Sequence, residues 1–415
     1  MALTPTLLRV CTSIALFGIP LLSSLKAYDS IDEALKNGVT KGDIGLFNDY
    51  YKPKHSITAP QTLGYIQDAY FLALTMGIQY RSAFYKNMRF AVGFRGAYPI
   101  WQWHTNSDWG PSSNQGYIKR GDISLDFDPL NQMLLSDTYM EYFDGDTSIK
   151  GGRFAIQNEW IDNQVDGIWI RNRSLENLML EFFWFERYGE ASATQMSGFV
   201  EPNDNYSGYF YTAVKYYLQD IFWAKFYTFA SYSVAFGMGA SANAEYKFSN
   251  SKLGINLNSA GSFEFRNGAK GGDGIDFDTR FYIEGKVKDV TIGFNVGYIQ
   301  SGKYSGWGSL NFINNTISPL GIGKVLSSGI TDTTLFYGTL YTEIDAVSVS
   351  LLYGTASFVN PALSALHHRQ NEVDLTFGFN FTQNVQGFFN LYNTHLGNDA
   401  IPNITQVQGG VSLYF

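Results

Sequence analysis

Long segments of this chain alternate strictly between apolar and polar residues, and this pattern constrains its fold more than any other feature. Residues 274–285 (GIDFDTRFYIEG) carry Ile, Phe, Thr, Phe and Ile on one face and Asp, Asp, Arg, Tyr and Glu on the other. The same pattern recurs in 89–95, 290–298 and 372–381. A period of two residues is that of a β-strand with two unlike faces. Aromatic residues make up 17% of the chain, which also favours strands. The sequence therefore predicts an all-β protein.

The predicted strands are long and one-sided compared with those of most soluble sheets. They run for about ten residues or more, against the usual five or six. Charged residues stand in mid-strand on the polar face, while the apolar face is nearly unbroken. About ten tilted strand residues cross a bilayer, and lipid accepts strands only in a closed barrel that pairs every backbone N–H and C=O. We therefore expect a transmembrane antiparallel β-barrel rather than a soluble sandwich with one wet face.

The connections between the strands predict about eighteen of them, with sixteen as the alternative. Long connections, such as 98–135, 186–206 and 301–333, alternate with short ones, such as 143–147 and 218–222. Single-chain bacterial barrels have an even number of strands, short periplasmic turns and longer extracellular loops. Both chain ends are then expected in the periplasm.

The chain finishes on another alternating segment, VQGGVSLYF, which runs to the last residue. This strand must pair with the first strand to close the barrel. Its terminal aromatic side chain would then lie at the membrane interface, where aromatic belts are found. We predict that Phe415 also serves as the recognition signal for the outer-membrane assembly machinery.

The first 27 residues form a separate segment. Arg9 precedes the apolar stretch SIALFGIPLLSSL, which is followed by Lys26 and Ala27. This order is typical of a secretory signal peptide, cleaved here after about Ala27. The single cysteine, Cys11, lies inside this segment, and a lipoprotein would need a small residue where Val10 stands. The predicted domains are therefore a signal peptide, 1–27, and one transmembrane barrel, 28–415.

The charge and the histidines exclude several function classes. Without Arg9 and Lys26 the chain keeps 27 basic and 37 acidic residues, a net charge of −10. This acidic excess argues against nucleic-acid binding, which needs a basic face. The five histidines lack metal-ligand spacing, and no nucleophile motif accompanies the adjacent His367 and His368. We therefore predict no enzyme activity, no cofactor and no metal site.

Three segments resemble OprD-like outer-membrane porins of ε-proteobacteria: SIDEALKNGVTKGDIGLFNDYY (30–51), SDTYMEYFDGDTSIKGGRFAI (136–156) and VDGIWIRNRSLENLMLEFFWF (165–185). The resemblance implies an outer-membrane channel of eighteen strands whose third extracellular loop folds into the lumen. It also implies a basic ladder along one wall of the lumen that guides anionic solutes. The acidic net charge of this chain departs from that pattern.

A pore needs a charged constriction rather than a catalytic group. The predicted strands carry five arginines that could form a basic ladder: Arg89, Arg95, Arg153, Arg171 and Arg173. Arginine suits this role because it stays charged and binds carboxylates through two N–H groups. The alternative is that some of these arginines pair with lumen acids or extend to the rim.

The candidate inward loop, QNEWIDNQVD (157–166), supplies the predicted constriction acids Glu159, Asp162 and Asp166. Asp276, Asp278 and Asp374 are predicted as further lumen acids. The loop acids would face the arginines and set a transverse field, although an ordinary polar loop is the alternative. Distant charges are screened beyond about 8 Å in physiological salt. We therefore expect weak ion selectivity, tilted to cations by the lumen acids.

These features predict a passive diffusion channel in the outer membrane of a Gram-negative bacterium. Its expected solutes are ions and small hydrophilic molecules such as organic acids, amino acids and other zwitterions. The alternative is an adhesin or surface-recognition barrel whose loops bind other cells. The expected partners are these solutes, outer-membrane lipid and lipopolysaccharide, and the assembly machinery, with the barrel a monomer or a homotrimer.

Overall fold

The structure is a computed structural model that describes residues 27–54, 57–58, 65–66, 68–103, 118–119, 133–193, 196–199, 201–202, 208–231, 235–264, 274–302, 320, 331–360, 364–396 and 403–415. Most of the predicted signal peptide therefore lies outside the described residues. Within them, eighteen long strands and one six-residue helix, α1 (Ile31–Lys36), form the fold.

The long strands are numbered in chain order: β1 Val39–Pro53, β2 Ala69–Arg81, β3 Met88–Trp103, β4 Met133–Phe143, β5 Thr147–Gln157, β6 Asp162–Asn172, β7 Leu178–Gly189, β8 Tyr209–Leu218, β9 Phe222–Ser231, β10 Ala235–Phe248, β11 Ser251–Glu264, β12 Gly274–Val287, β13 Val290–Ser301, β14 Thr331–Ile344, β15 Val347–Asn360, β16 Ser364–Asn380, β17 Val385–Leu396 and β18 Ile404–Tyr414.

The eighteen strands form one closed barrel. Each strand pairs antiparallel with the next strand in the chain. The last strand pairs with the first, from Asp43 opposite Tyr414 to Pro53 opposite Ile404. Closure leaves neither terminal strand with an unpaired edge, which is what a bilayer requires. The predicted fold class and the predicted number of strands are thus confirmed.

The connections define two ends of the barrel. The end that carries short turns, such as 144–146 and 345–346, is called the turn end, and the opposite end is called the loop end. In the turn 144–146 the Asp144 carboxylate accepts the backbone N–H of Thr147 at 2.7 Å and that of Asp146 at 3.1 Å. These hydrogen bonds lower the pKa of Asp144. In outer-membrane barrels the turn end faces the periplasm.

Two connections at the loop end are shorter than the sequence predicts. The segment between β5 and β6 is 158–161, within the candidate inward loop 157–166, and that between β15 and β16 is 361–363, although the alternating segment of β16 begins only at 372. The difference arises because strand pairing continues past the segments in which the residues alternate, as from Arg369 opposite Ser357 to His367 opposite Val359. The third loop is therefore the tip of a long hairpin.

The two faces of the barrel wall differ in the way that the alternation predicts. On β12 the outward side chains of Ile275, Phe281 and Ile283 are 63%, 54% and 48% exposed, whereas the inward Asp276 and Arg280 are 3% and 9% exposed. This distribution is the reverse of that in a soluble protein. It fits a barrel with lipid outside and a polar lumen inside.

The helix α1 lies at the turn end, before β1. Two residues that precede it, Ala27–Tyr28, pair in parallel with Phe84–Tyr85 in the turn between β2 and β3. None of the helices in the described part of the chain is long and apolar enough to cross a membrane.

Candidate functional site: the lumen and its constriction

The lumen is narrowed by the hairpin of β5 and β6, whose tip folds against the inner wall. Trp160 at this tip is 1% exposed. Its ring lies 6.5 Å from that of Tyr227 and 6.3 Å from that of Phe229, both inward residues of β9. The inward fold of the third loop, which the resemblance implied, is therefore present.

Two further segments from the loop end pack on other sectors of the inner wall. Met196 and Phe199, between β7 and β8, join a buried apolar cluster with residues of β1 to β4. Leu320, between β13 and β14, is fully buried in a cluster with residues of β13, β14 and β15. The lumen is thus constricted from three sides.

The hairpin tip is held by its own turn and by Glu159. Asn158 accepts the backbone N–H groups of Trp160 and Ile161 at 2.8 and 2.9 Å, which closes the turn tightly. The Glu159 carboxylate forms an ion pair with Lys225 and accepts the hydroxyl proton of Tyr211 at 3.0 Å. Glu159 therefore points at the wall of β8 and β9. The prediction that it faces the arginines was wrong, because the tight turn directs it the other way.

A cavity of about 190 Å³ lies between the other side of the hairpin and the wall of β1 to β4. Charged groups of both signs line it: Lys41, Asp43, Arg81, Arg95, Asp137, Lys150, Asp162 and Glu190. Of the three predicted loop acids, Asp162 lines this cavity, so the narrow region contains both cations and carboxylates.

Two predicted ladder arginines pair with acids on other strands of the barrel wall. Arg89 donates its Nε–H to Glu141 at 2.7 Å. The buried Arg95 binds both carboxylate oxygens of Asp43, with Nη1 3.0 Å from Oδ2. The alternative that some arginines pair with lumen acids therefore holds for both.

Arg153 connects the hairpin to a second inserted segment. It donates to both carboxylate oxygens of Asp166, at 2.6 and 2.7 Å, and to the backbone carbonyl of Leu135 at 3.0 Å. Its guanidinium lies 3.5 Å from the ring centroid of Phe199, and Arg187 also binds Asp166 at 3.1 Å. Arg153 and Asp166 thus form an ion pair within the constriction rather than two facing walls of charge.

The other two predicted arginines lie toward the turn end. Arg171 points inward from β6, with its guanidinium 4.0 Å from the ring centroid of Trp169. Arg173 is exposed in the turn after β6, where its backbone N–H bonds to the carbonyl of Asp146. Arg173 is therefore placed at the exit of the lumen and not beside the hairpin.

Lysines that sequence reasoning missed complete a cationic side of the lumen. The ammonium of Lys150 lies 4.6 Å from the ring centroid of Tyr139, and that of Lys215 lies 3.8 Å from that of Trp223. A cation on an aromatic face is stabilised by the charge distribution of the ring. We call the inner side of β3 to β9 the cationic wall; it carries Arg89, Lys150, Arg171, Lys215 and Lys225. Their positions on inward faces could have been read from the alternation.

The opposite inner side, from β10 to β16, carries six inward carboxylates together with the inward Arg280. We call it the acidic wall; it holds Glu245, Asp276, Asp278, Glu284, Glu372 and Asp374. The predicted lumen acids Asp276, Asp278 and Asp374 all point inward, and the first and last are 3% and 5% exposed. Glu284 stands on the polar face of the alternating segment 274–285, whereas Glu245 was missed.

Tyrosine hydroxyls fix two of these carboxylates by reaching across a glycine. Tyr282 on β12 lies over Gly254 on β11 and donates to Glu245 on β10 at 2.7 Å. A Cβ on the glycine would collide with the tyrosine ring. The three-strand sets that share this arrangement are Glu245–Gly254–Tyr282 and Glu284–Gly293–Tyr341, the second with a hydrogen bond of 2.6 Å.

Phe415 lies at the turn end, beside β1. Its backbone N–H bonds to the carbonyl of Gly42 at 3.0 Å, and its own carbonyl accepts from Gly42 at 2.9 Å. The aromatic side chain is 57% exposed. This position fits an interfacial aromatic residue.

Within the described residues, no group of three or more His, Cys, Asp or Glu side chains could hold a metal ion. The closed eighteen-stranded barrel with inward loops defines the class as an outer-membrane type of β-barrel. No protein-family model matches the chain, and no curated protein matches it.

Solved structures share this fold. OpdK of Pseudomonas aeruginosa, solved with vanillate, is 13% identical with a TM-score of 0.63, over 91% of this chain and 98% of that chain. OccAB3 of Acinetobacter baumannii is 11% identical with a TM-score of 0.65, over 91% and 99%. OccK8 (OprE) of P. aeruginosa is 10% identical with a TM-score of 0.67, over 92% and 99%. These neighbours are OprD/Occ outer-membrane porins, and at such identity the likeness shows the fold alone.

Proposed function

We propose that this protein is a passive diffusion channel of the outer membrane, a porin for small hydrophilic solutes. The observation that carries the proposal is the lumen itself, which is narrowed by inserted loops and has a cationic wall opposite an acidic wall. Opposed charges in a narrow channel set a field across the path of a solute. The likeness to OprD/Occ porins supports the same function.

The two walls favour solutes that carry both charges or one carboxylate. An amino acid or another zwitterion would orient between the walls, with its carboxylate toward Lys150 or Lys215 and its ammonium toward the acidic wall. An organic acid with an aromatic ring would also contact the rings that support the cations. OpdK, one of the neighbours, was solved with an aromatic acid, vanillate.

Planar bilayers test the channel function directly. A steady ohmic current after insertion of the purified protein supports a porin, whereas bilayers that gain inserted protein but no current contradict it. The competing function, an adhesin, is not supported by the comparisons and would leave the current at zero.

We also propose that the protein is exported by a signal peptide that is cleaved after about Ala27. We propose further that the assembly machinery of the outer membrane recognises the last strand. The origin in an ε-proteobacterium rests on the resemblance of the three motifs. Deletion of Phe415 should lower the amount of barrel in the outer membrane, because it removes an interfacial side chain and two backbone hydrogen bonds at the barrel closure. An unchanged amount in membrane fractions would contradict the assembly role.

A further inference from the structure

The short helix α1 has an apolar side that the barrel covers only in part. Ser30 accepts the backbone N–H of Glu33 at 3.2 Å and starts the helix at its N-cap. Ala34 is 3% exposed, whereas Ile31 and Leu35 are 58% and 38% exposed. The spacing of these three positions puts them on one side of the helix.

The helix is fastened to the rim of the barrel by backbone hydrogen bonds. The carbonyl of Ala34 accepts the N–H of Ala83, in the turn between β2 and β3, at 3.0 Å. The carbonyl of Tyr28 accepts the N–H of Lys86 at 3.0 Å, within the parallel pairing of Ala27–Tyr28 and Phe84–Tyr85. The position of α1 is therefore set by the barrel and not by the helix alone.

The C-terminal end of α1 lies on the lipid side of the barrel wall. The carbonyl of Leu35 accepts the hydroxyl proton of Tyr80. Tyr80 is an outward residue of β2. It lies two residues after Ile78, which is on the same face and 45% exposed. The Tyr80 ring lies 5.8 Å from that of Phe90, an outward residue of β3 that is 37% exposed. The apolar side of α1 is thus continuous with the outward apolar face at the turn end.

We propose that α1 is an interfacial anchor whose side chains Ile31 and Leu35 insert into the phospholipid of the membrane leaflet at the turn end. An amphipathic helix with one apolar side lies in the interface plane and buries that side below the headgroups. The polar side, with Asp32, Glu33 and Lys36, then faces the water. The inference rests on the outer-membrane location in the proposed function, but not on transport.

The anchor is tested with a fluorescent probe on single cysteines in the full-length protein, in a background with Cys11→Ser. Leu35→Cys carries the probe on the apolar side, and Glu33→Cys is the matched control on the polar side. Phe379→Cys reports the lipid-facing wall, and Asp345→Cys reports a turn in water. The protein is reconstituted into phosphatidylcholine vesicles with a spin label at the headgroup or high on the acyl chain.

The expected result is quenching at position 35 that exceeds quenching at 33 by about twofold or more, because only the apolar side reaches the lipid. Equal, low quenching at 33, 35 and 345, with strong quenching at 379, would overturn the anchor while the barrel remains in the bilayer. A probe at 35 shielded from both spin-labelled lipid and aqueous iodide would overturn it in favour of a second protein surface. Loss of quenching at 379 as well would overturn the membrane location itself.

Discussion

The cationic and acidic walls hold their charges by different physical means. On the cationic wall, as at Lys150 and Lys215, the charged group rests on aromatic rings. On the acidic wall, Glu245 and Glu284 are held by tyrosine hydroxyls from two strands away. A ring fixes a cation without using its N–H donors, and one hydroxyl occupies only one of the acceptor sites of a carboxylate. Both kinds of support leave hydrogen-bonding capacity on the charged groups, although Glu284 also pairs with Lys252 at 3.0 Å.

The largest effect is expected when the tip of the β5–β6 hairpin is detached from the cationic wall. Glu159→Gln removes the carboxylate that pairs with Lys225, where both side chains are 11% exposed. Loss of one partner of a buried ion pair costs about 3–5 kcal/mol, so the tip should detach. Single-channel recordings should show a larger and noisier current. Glu176→Gln, in the exposed turn after β6, is the control, and a mutant current equal to that of the parent would contradict the anchoring role.

The next largest effect is expected from the acidic wall. The double substitution Asp278→Asn and Asp374→Asn removes two inward carboxylates and should shift the reversal potential in a salt gradient toward anions, since lining charges dominate in a narrow throat. Asp345→Asn removes an exposed charge in the turn between β14 and β15 and serves as the control. Equal shifts for the mutant and the control would mean that the acidic wall does not set selectivity.

Smaller, opposite shifts are expected within the constriction. Arg153→Ala leaves Asp166 with Arg187 alone and should strengthen the cation preference. Asp162→Asn removes a carboxylate from the cavity and should weaken it. Reversal potentials measure both, and shifts of reversed sign, or none for either variant, would show that these residues do not act on permeating ions.

The smallest effect on current is expected from Tyr341→Phe. The variant keeps the ring over Gly293 but loses the hydroxyl that binds Glu284, a bond to a charged acceptor of the kind that contributes about 1.5–3 kcal/mol. Thermal unfolding in detergent should begin at a lower temperature, with little change in conductance. Tyr353→Phe on the outward face is the control. Equal unfolding temperatures for the parent and both variants would show that the Tyr341–Glu284 hydrogen bond does not stabilise the barrel.

The faces of the strands could be predicted from the sequence because the period of two is a local property. Asp276 and Arg280 followed from it directly. The partners of the charges could not be predicted, because they depend on register across strands: Arg95 binds Asp43, 52 residues away and two strands apart. The orientation of Glu159 depends on the turn that Asn158 closes, and the spacing of acids in the loop does not encode it. Arg89, Arg95 and Arg171 lie on inward faces, and the alternation indicated only that some arginines could pair with lumen acids, without indicating which acids.

The contacts across a glycine have a consequence for how the strands stay aligned. A slip of one residue between neighbouring strands would turn every side chain to the wrong face, but a slip of two would preserve the alternation and all backbone pairing types. Such a slip would move Gly254 from beneath Tyr282, bring a larger residue under the ring and separate the hydroxyl from Glu245. Gly77 on β2 lies in a similar way between Asp43 on β1 and Arg95 on β3, and a slip of two residues would separate that ion pair. These side-chain ties therefore resist sliding of the strands past one another, and they select one shear of the barrel among several that the backbone alone would accept.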